Sequence, residues 1–207
     1  MEMWRVSIRK SGLASTLTKN GQHVTTPPQI ILRNETPADI EAIAEVTIAA
    51  FRTLAISEHT EQFIIDALRA AVALRISLVA EIDGRVVGHI AFSPVTLSDG
   101  SEGWYGLGPV SVLPAYQRQG IGTALIEEGL ARLKRMHARG CCLVGHPGYY
   151  SRFGFENAPG LVLEGAPPEV FFALSFDGPI PQGRVRFHEA FRAKDAPLRA
   201  SDGVQHD

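Results

Sequence analysis

The feature that most constrains this chain is Asp83-Gly84, a dipeptide set between two runs rich in β-formers. Residues 77–82 and 85–92 flank it, and a two-residue Asp-Gly link suits the turn whose twist matches paired strands. The spacing therefore predicts an antiparallel hairpin. Around it the order is that of an α/β protein, so the sheet must be mixed rather than purely parallel.

The remaining periodicity fills in that order. Residues 30–33 read as a first strand. Thr36-Pro37-Ala38-Asp39 then opens a helix, with Thr as cap, Pro in the first helical position and an acid in the first turn. Ile40, Ile43, Val46, Ala50 and Phe51 follow at helical spacing. A second helix is expected over 58–73, with Phe63, Leu68 and Val72 on one side. A strand over 105–112 stops at Pro114. A longer helix covers 120–139, turning Ile121, Leu125, Ile126, Leu130, Leu133 and Met136 inward and ending at Gly140. Residues 141–145 form another strand, and two more are expected within 160–191.

The two ends differ from this body. Residues 1–28 are poor in acids, rich in hydroxyls and end in Thr25-Thr26-Pro27-Pro28, so they are expected to be a flexible extension. Residues 193–207 are polar and read as a flexible tail. The folded domain is then 29–192, a usual single-domain size.

Charge narrows the partners. Lys and Arg total 20 against 22 Asp and Glu, a net of −2, so no global basic field exists to hold nucleic acid or an anionic membrane. No apolar run is long enough for a transmembrane helix. The two cysteines, Cys141 and Cys142, are adjacent in an expected strand and must face opposite ways. They are expected to be reduced, buried and unable to pair, which fits a cytoplasmic location.

Chemistry concentrates in residues 110–123. A strand ends, a short loop turns, and Gly120 and Gly122 open an amphipathic helix. Unpaired N–H groups and the positive end of the helix dipole then converge on one point, an anion site suited to a pyrophosphate. Glycine lets a phosphate approach the backbone, and Arg118 can add charge at the mouth. The alternative is that two glycines merely open a packed helix. A nucleotide P-loop would need Gly-Lys-Ser/Thr, and the dinucleotide fingerprint a third glycine; both are absent.

In this context the chain resembles the GCN5-related N-acetyltransferase (GNAT) superfamily. Gln117-Arg118-Gln119-Gly120-Ile121-Gly122 matches that family's Gln/Arg-x-x-Gly-x-Gly/Ala motif, after the expected Val-x-Val-x-Pro strand end. The hairpin with Val87-Gly88-His89-Ile90 is similar to the family's Val-x-Gly strand, and the run from Tyr149 to Phe155 to its Tyr-x-x-x-Gly-Phe element. The resemblance covers about residues 29–190 and extends to a bacterial branch of predicted N-acetyltransferases. It implies a mixed, mostly antiparallel sheet flanked by helices and splayed at its central strands. It also implies acetyl-CoA as cosubstrate, without metal, and an amine acceptor, either a small molecule or a protein amino group. A homodimer is a common state in such a family.

The resemblance also assigns residues. The main chain of Val110, Ser111 and Val112 would pair with the pantetheine arm, with the Val112 N–H polarising the thioester carbonyl. Arg118, Gln119, Gly120, Ile121, Gly122 and Thr123 would cradle the pyrophosphate. Tyr150, four residues before Gly154, would be the general acid, since a phenol keeps its proton at neutral pH and can give it to a departing thiolate. Packing alone is the competing role for Tyr150, and Tyr149 is the second hydroxyl. No acid lies in residues 105–112 to act as base. Glu58, His59 and Glu61 are expected to be a solvated helix start, and His89 a structural histidine. Where many family members carry an Asn before the Tyr, this chain has His146-Pro147-Gly148; contact with the coenzyme, action as a base and ending the strand are the candidate roles of His146, and the last is the one expected. A non-catalytic acyl-CoA-binding module is the alternative to an enzyme.

Overall fold

The computed structural model describes residues 29–52 and 59–195, with the backbone of three short strands nearer the N-terminus. In chain order the strands and helices are β1 (Val6–Arg9), β2 (Ser15–Lys19), β3 (Gln22–Thr26), β4 (Gln29–Asn34), α1 (Ile40–Phe51), α2 (Glu61–Ala70), β5 (Ile76–Ile82), β6 (Arg85–Pro94), β7 (Thr96–Leu97) and β8 (Trp104–Val112). There follow α3 (Ile121–Arg135), β9 (Gly140–Val144), α4 (Pro147–Tyr150), β10 (Glu156–Asn157), β11 (Leu161–Leu163), β12 (Phe171–Ser175) and β13 (Gly183–Arg186).

The Asp83-Gly84 hairpin forms β5 and β6 and lies inside an eight-stranded sheet of order β1-β4-β5-β6-β8-β9-β12-β10. Every pairing in that sheet is antiparallel except β8 with β9. The mixed, mostly antiparallel sheet is thus present. A second sheet, β11-β13-β7, covers one end. On one face of the main sheet α3 packs Ile121, Leu125, Ile126, Leu130 and Leu133 into a core with Ile90 and Phe92. Opposite, Ile43 and Val46 of α1 and Ile65 of α2 close on Val79 and Val86.

The first helix starts as the sequence dictates. The Asp39 carboxylate accepts from the Thr36 N–H and hydroxyl at 2.7 and 2.8 Å, and Arg33 grips it with two guanidinium nitrogens at 2.7 and 2.8 Å. Within residues 1–28, β1 pairs with β4 and β2 with β3, strands that composition does not signal. Of the expected tail, residues 196–207 lie outside the described residues.

Helix ends depart from expectation for one local reason. Both α2 and α3 stop in a Schellman turn, with Ala73 N–H donating to Leu68 O at 2.8 Å and Ala138 N–H to Leu133 O at 3.0 Å. The left-handed position that glycine usually takes is filled by Val72 (φ 54°) and His137 (φ 56°). Hence Val72 is 92% exposed rather than inward, Met136 caps α3 at the surface, and Gly140 begins a strand instead of ending the helix. The region 160–191 holds three strands, not two, because β11 and β13 pair in parallel in the small sheet.

Candidate active site

Beyond Gly106 the two parallel strands part. β8 and β9 are paired only from Trp104 with Gly140 to Gly106 with Cys142; then β8 stays with β6 and β9 with β12. A bulge accompanies the departure. Leu107 opposes Phe92 and Val110 opposes Ile90, so β8 carries one extra residue. Pro109 sits in that bulge, where its missing N–H breaks no ladder bond. Leu113 N–H donates to Val87 O at 2.9 Å. By antiparallel alternation, Val110 and Val112 therefore turn their N–H and C=O groups away from β6, toward the gap. The side chain of Ser111 points elsewhere: it is buried, 3.2 Å from the Thr47 hydroxyl of α1.

The start of α3 meets this gap. Arg118 (φ 58°) and Gly120 (φ 81°) bend the loop into the helix. Side-chain amides brace it, Gln117 to Val112 O at 3.0 Å and Gln119 to Ala115 O at 3.1 Å. The first backbone bond of the helix runs from Ala124 N–H to Gly120 O, leaving the N–H groups of Ile121, Gly122 and Thr123 without an intrahelical acceptor. A Cβ on Gly122 would stand 3.3 Å from the Tyr149 hydroxyl and 3.7 Å from Val112 Cγ2. Strand end, helix start and Tyr149 thus converge, with the positive helix end facing them.

A cavity of about 1040 Å³ opens from the gap. Val110, His146, Tyr149 and Tyr150 line its inner end, and Phe51, Glu61 and Ile64 bring α1 and α2 to its wall. Of the residues proposed from sequence, Val110 and Tyr150 border this space. Residues 118–123 do not; they stand at the mouth of α3.

Tyr150 is held by its neighbours. His146 lies beyond the end of β9 at Val144 and caps α4 instead, its Nδ1 accepting from Gly148 N–H at 3.3 Å. The Tyr150 ring stacks edge-on with Tyr149 at 5.1 Å and Phe155 at 6.1 Å. It also lies against the backbone of Gly145, where a Cβ would come within 2.2 Å of the ring. Only glycine permits that approach. Burial, then the nearby Tyr149 and Cys141, push the Tyr150 phenol up to about 12.

Other candidates resolve differently. Cys141 and Cys142 are fully buried on opposite sides of β9, in two separate core clusters, and burial raises both thiols. They are poor nucleophiles. His89 is fully buried in β6, with Nε2 2.8 Å from the Ser77 hydroxyl, which in turn donates to Glu35. Arg69 holds Glu35 by two bonds at 2.9 and 3.1 Å. Burial works to raise Glu35, but His89, Arg69 and Ser77 outweigh it and hold the carboxylate near 2. Glu61 is the residue that sequence undervalued. Glu58 lies outside the described residues, but Glu61 is half-buried on the cavity wall rather than solvated. Its place in the first turn of α2, after a break in the chain's periodicity, carries no signal of that. Among the described residues no group of three or more His, Cys, Asp or Glu is placed to hold a metal. Nor is any helix there long and apolar enough to cross a membrane.

A sheet split at its parallel pair, with a glycine-opened helix at one end of the split and an apolar chamber at the other, is the architecture of an N-acyltransferase. Residues 74–157 match the model of the acetyltransferase (GNAT) domain. The uncharacterized N-acetyltransferase YhbS of Escherichia coli K12 is 35% identical over 130 residues, 62% of this chain and 75% of that protein. A GNAT family acetyltransferase from Brucella melitensis, solved with acetyl-CoA, is 54% identical, with 78% of this chain and 97% of that one covered and a TM-score of 0.71. The YhbS structure, solved with CoA, is 29% identical over 86% of this chain and all of its own, with a TM-score of 0.75. The chain belongs to the GNAT acetyltransferase family.

Proposed function

We propose that this chain transfers the acetyl group of acetyl-CoA to a primary amine by direct attack in a ternary complex, with Tyr150 as general acid. The observation that carries the reading is Tyr150 itself, a buried phenol on the wall of the chamber that opens between β8 and β9. Related proteins solved with acetyl-CoA and CoA support the donor.

The pyrophosphate would lie on the N–H groups of residues 118–123, neutralised by the helix dipole and Arg118. The pantetheine arm would take the place that β9 vacates, pairing with the main chain of Val110 and Val112, whose N–H and C=O groups face the gap, on either side of Ser111, which stays paired with β6. Val110 borders the chamber and Val112 the mouth of α3. The lining therefore favours the Val110 N–H over that of Val112 as the donor to the carbonyl oxygen, where charge develops as the amine attacks. Glu61 supplies a carboxylate on the same wall to take the proton of the incoming ammonium.

Collapse of the tetrahedral intermediate breaks the C–S bond, the sulfur takes a proton from Tyr150, and the phenolate is restored by the second proton that the nitrogen sheds in becoming an amide. A phenol near 12 is a weak acid beside a free thiol, but the apolar walls that raise it raise a thiolate too. Calorimetry with acetyl-CoA, CoA, ATP and NAD tests the donor site, and thiol release with an amine panel tests the chemistry. Selective binding of the CoA forms with amine-dependent thiol release is expected. No CoA binding by the folded protein overturns the site; binding with no turnover, and Tyr150→Phe without effect, leaves an acyl-CoA-binding module instead.

A further inference from the structure

The outer half of the chamber differs in chemistry from the inner half. Phe187 lies against β8 where the strands part: a Cβ on Gly106 would fall 2.3 Å from its ring. Its ring meets Phe191 edge-on at 4.9 Å. With Phe51 and Ile64 facing from the helices, the passage beyond Val110 is aromatic and aliphatic. Such walls accept a flat apolar body rather than a polar chain.

The rim then turns cationic. Arg184 and Arg186 flank buried Val185 on β13, and Arg192 follows on the closing turn; all three border the cavity and are exposed. Among the described residues none of them is in an ion pair, whereas Arg33, Arg69, Arg132 and Arg135 all are. Among the described residues Glu164, also exposed, is the one carboxylate on this rim. His188 is turned inward, its Nδ1 accepting from Ala190 N–H at 3.2 Å. Three guanidinium groups against one carboxylate leave an excess of positive charge beside an apolar passage. Guanidinium geometry matches a carboxylate or phosphate in two-point fashion.

We infer that the acceptor is a small primary amine on an apolar, aromatic-sized body that carries an anionic group, carboxylate or phosphate, at the end away from the nitrogen. The nitrogen lies between Val110 and Glu61, the body against Phe187 and Phe191, and the anion on the arginine rim. The inference rests on the acetyl-transfer reading and adds the substrate class to it.

Three matched amines test it on the full chain: 2-phenylethylamine, 4-(2-aminoethyl)benzoate and the phosphate ester of tyramine. Thiol release from acetyl-CoA is followed for each, with acetyl-CoA affinity measured separately. At least a tenfold higher kcat/KM is expected for an anionic amine over the neutral one, mainly through KM, and weakening with added salt. Whichever anionic amine wins identifies carboxylate or phosphate. In Arg184→Ala/Arg186→Ala the preference should fall toward one while acetyl-CoA affinity persists. These are exposed positions, so the fold is expected to survive, and retained acetyl-CoA binding verifies it. Equal or better use of 2-phenylethylamine, or acetylation of peptide amines alone, overturns the acceptor class without touching the transfer reading. Failure to bind acetyl-CoA overturns that reading first.

Discussion

Replacing Gly145 by alanine should disable the enzyme without removing any group that touches substrate. The added Cβ would stand 2.2 Å from Tyr150 Cε2 and 2.9 Å from Cδ2. The shortest ordinary contact is 3.4 Å, so the ring must withdraw by about 1.2 Å. It has little room, packed between Tyr149 and Phe155. Forcing one methyl into such a site costs about 1–3 kcal/mol, a Tm fall of roughly 3–10 °C for a domain of this size. That is a loss a folded domain survives. With Tyr150 as the proposed general acid, catalysis suffers more, because a displacement near 1 Å of a reacting group costs about 100-fold.

Loss of a general acid costs about 100- to 10,000-fold, so Gly145→Ala and Tyr150→Phe should fall in the same range. The double variant should be no slower than Tyr150→Phe alone, since the alanine acts only through that hydroxyl. Thiol release at saturating acetyl-CoA reads kcat, and calorimetry confirms that the coenzyme still binds. Full turnover in Gly145→Ala beside a crippled Tyr150→Phe would refute the positional argument. Multiplying losses in the double variant would show that Gly145 acts through something else.

Three further perturbations follow from the same geometry. Val72→Gly should stabilise the protein: a β-branched residue in left-handed backbone costs about 1–2 kcal/mol, glycine returns part of that through unfolded-chain entropy, and at 92% exposure no packing is lost. A gain of about 0.5–1 kcal/mol in urea denaturation is expected, and a loss would count against the strain. Gly122→Val should raise the acetyl-CoA Kd at least tenfold by crowding Tyr149 and Val112, with a Tm shift of no more than about 3 °C; unchanged affinity removes the helix start from the site. Acid should destabilise in two stages. Burial lowers His89 from 6.5, so stability is present above that pH and declines below it as the unfolded chain takes up the proton. Glu35, lowered from 4.5 to about 2, adds stability above 4.5 that is lost toward 2. After discounting for its partial exposure this second stage is roughly 1–3 kcal/mol. Urea midpoints that stay flat from pH 7 to pH 3 would contradict both.

What could be read from the sequence and what could not divides along one physical line. The proposed donor side is local. A strand end, two glycines and the start of an amphipathic helix occupy fourteen consecutive residues, from Val110 to Thr123, and the contacts they offer are main-chain groups whose direction follows from helix and strand geometry alone. The hairpin was legible for the same reason, its turn chemistry lying in two adjacent residues. Errors arose where a residue occupies a conformation its type disfavours. Val72 and His137 take the left-handed cap position, so no glycine announced either helix end.

The proposed acceptor side is not local at all. Its wall draws on Phe51, Glu61, Leu97, Glu164, Phe187 and Arg192, segments brought together by the packing of α1 and α2 on the main sheet and by the pairing of β7, β11 and β13 as a small sheet. That sheet rests on a parallel pairing between strands of three and four residues, too short for any periodicity to reveal. A backbone cradle must keep glycine at fixed spacing, and so it is written as a motif. A side-chain chamber needs only that its walls be apolar and its rim charged, a condition that many residue sets meet. Donor identity is therefore carried in consecutive residues and acceptor identity in the tertiary fold, and the arginine rim on β13 becomes meaningful only once Phe187 is seen lying on Gly106.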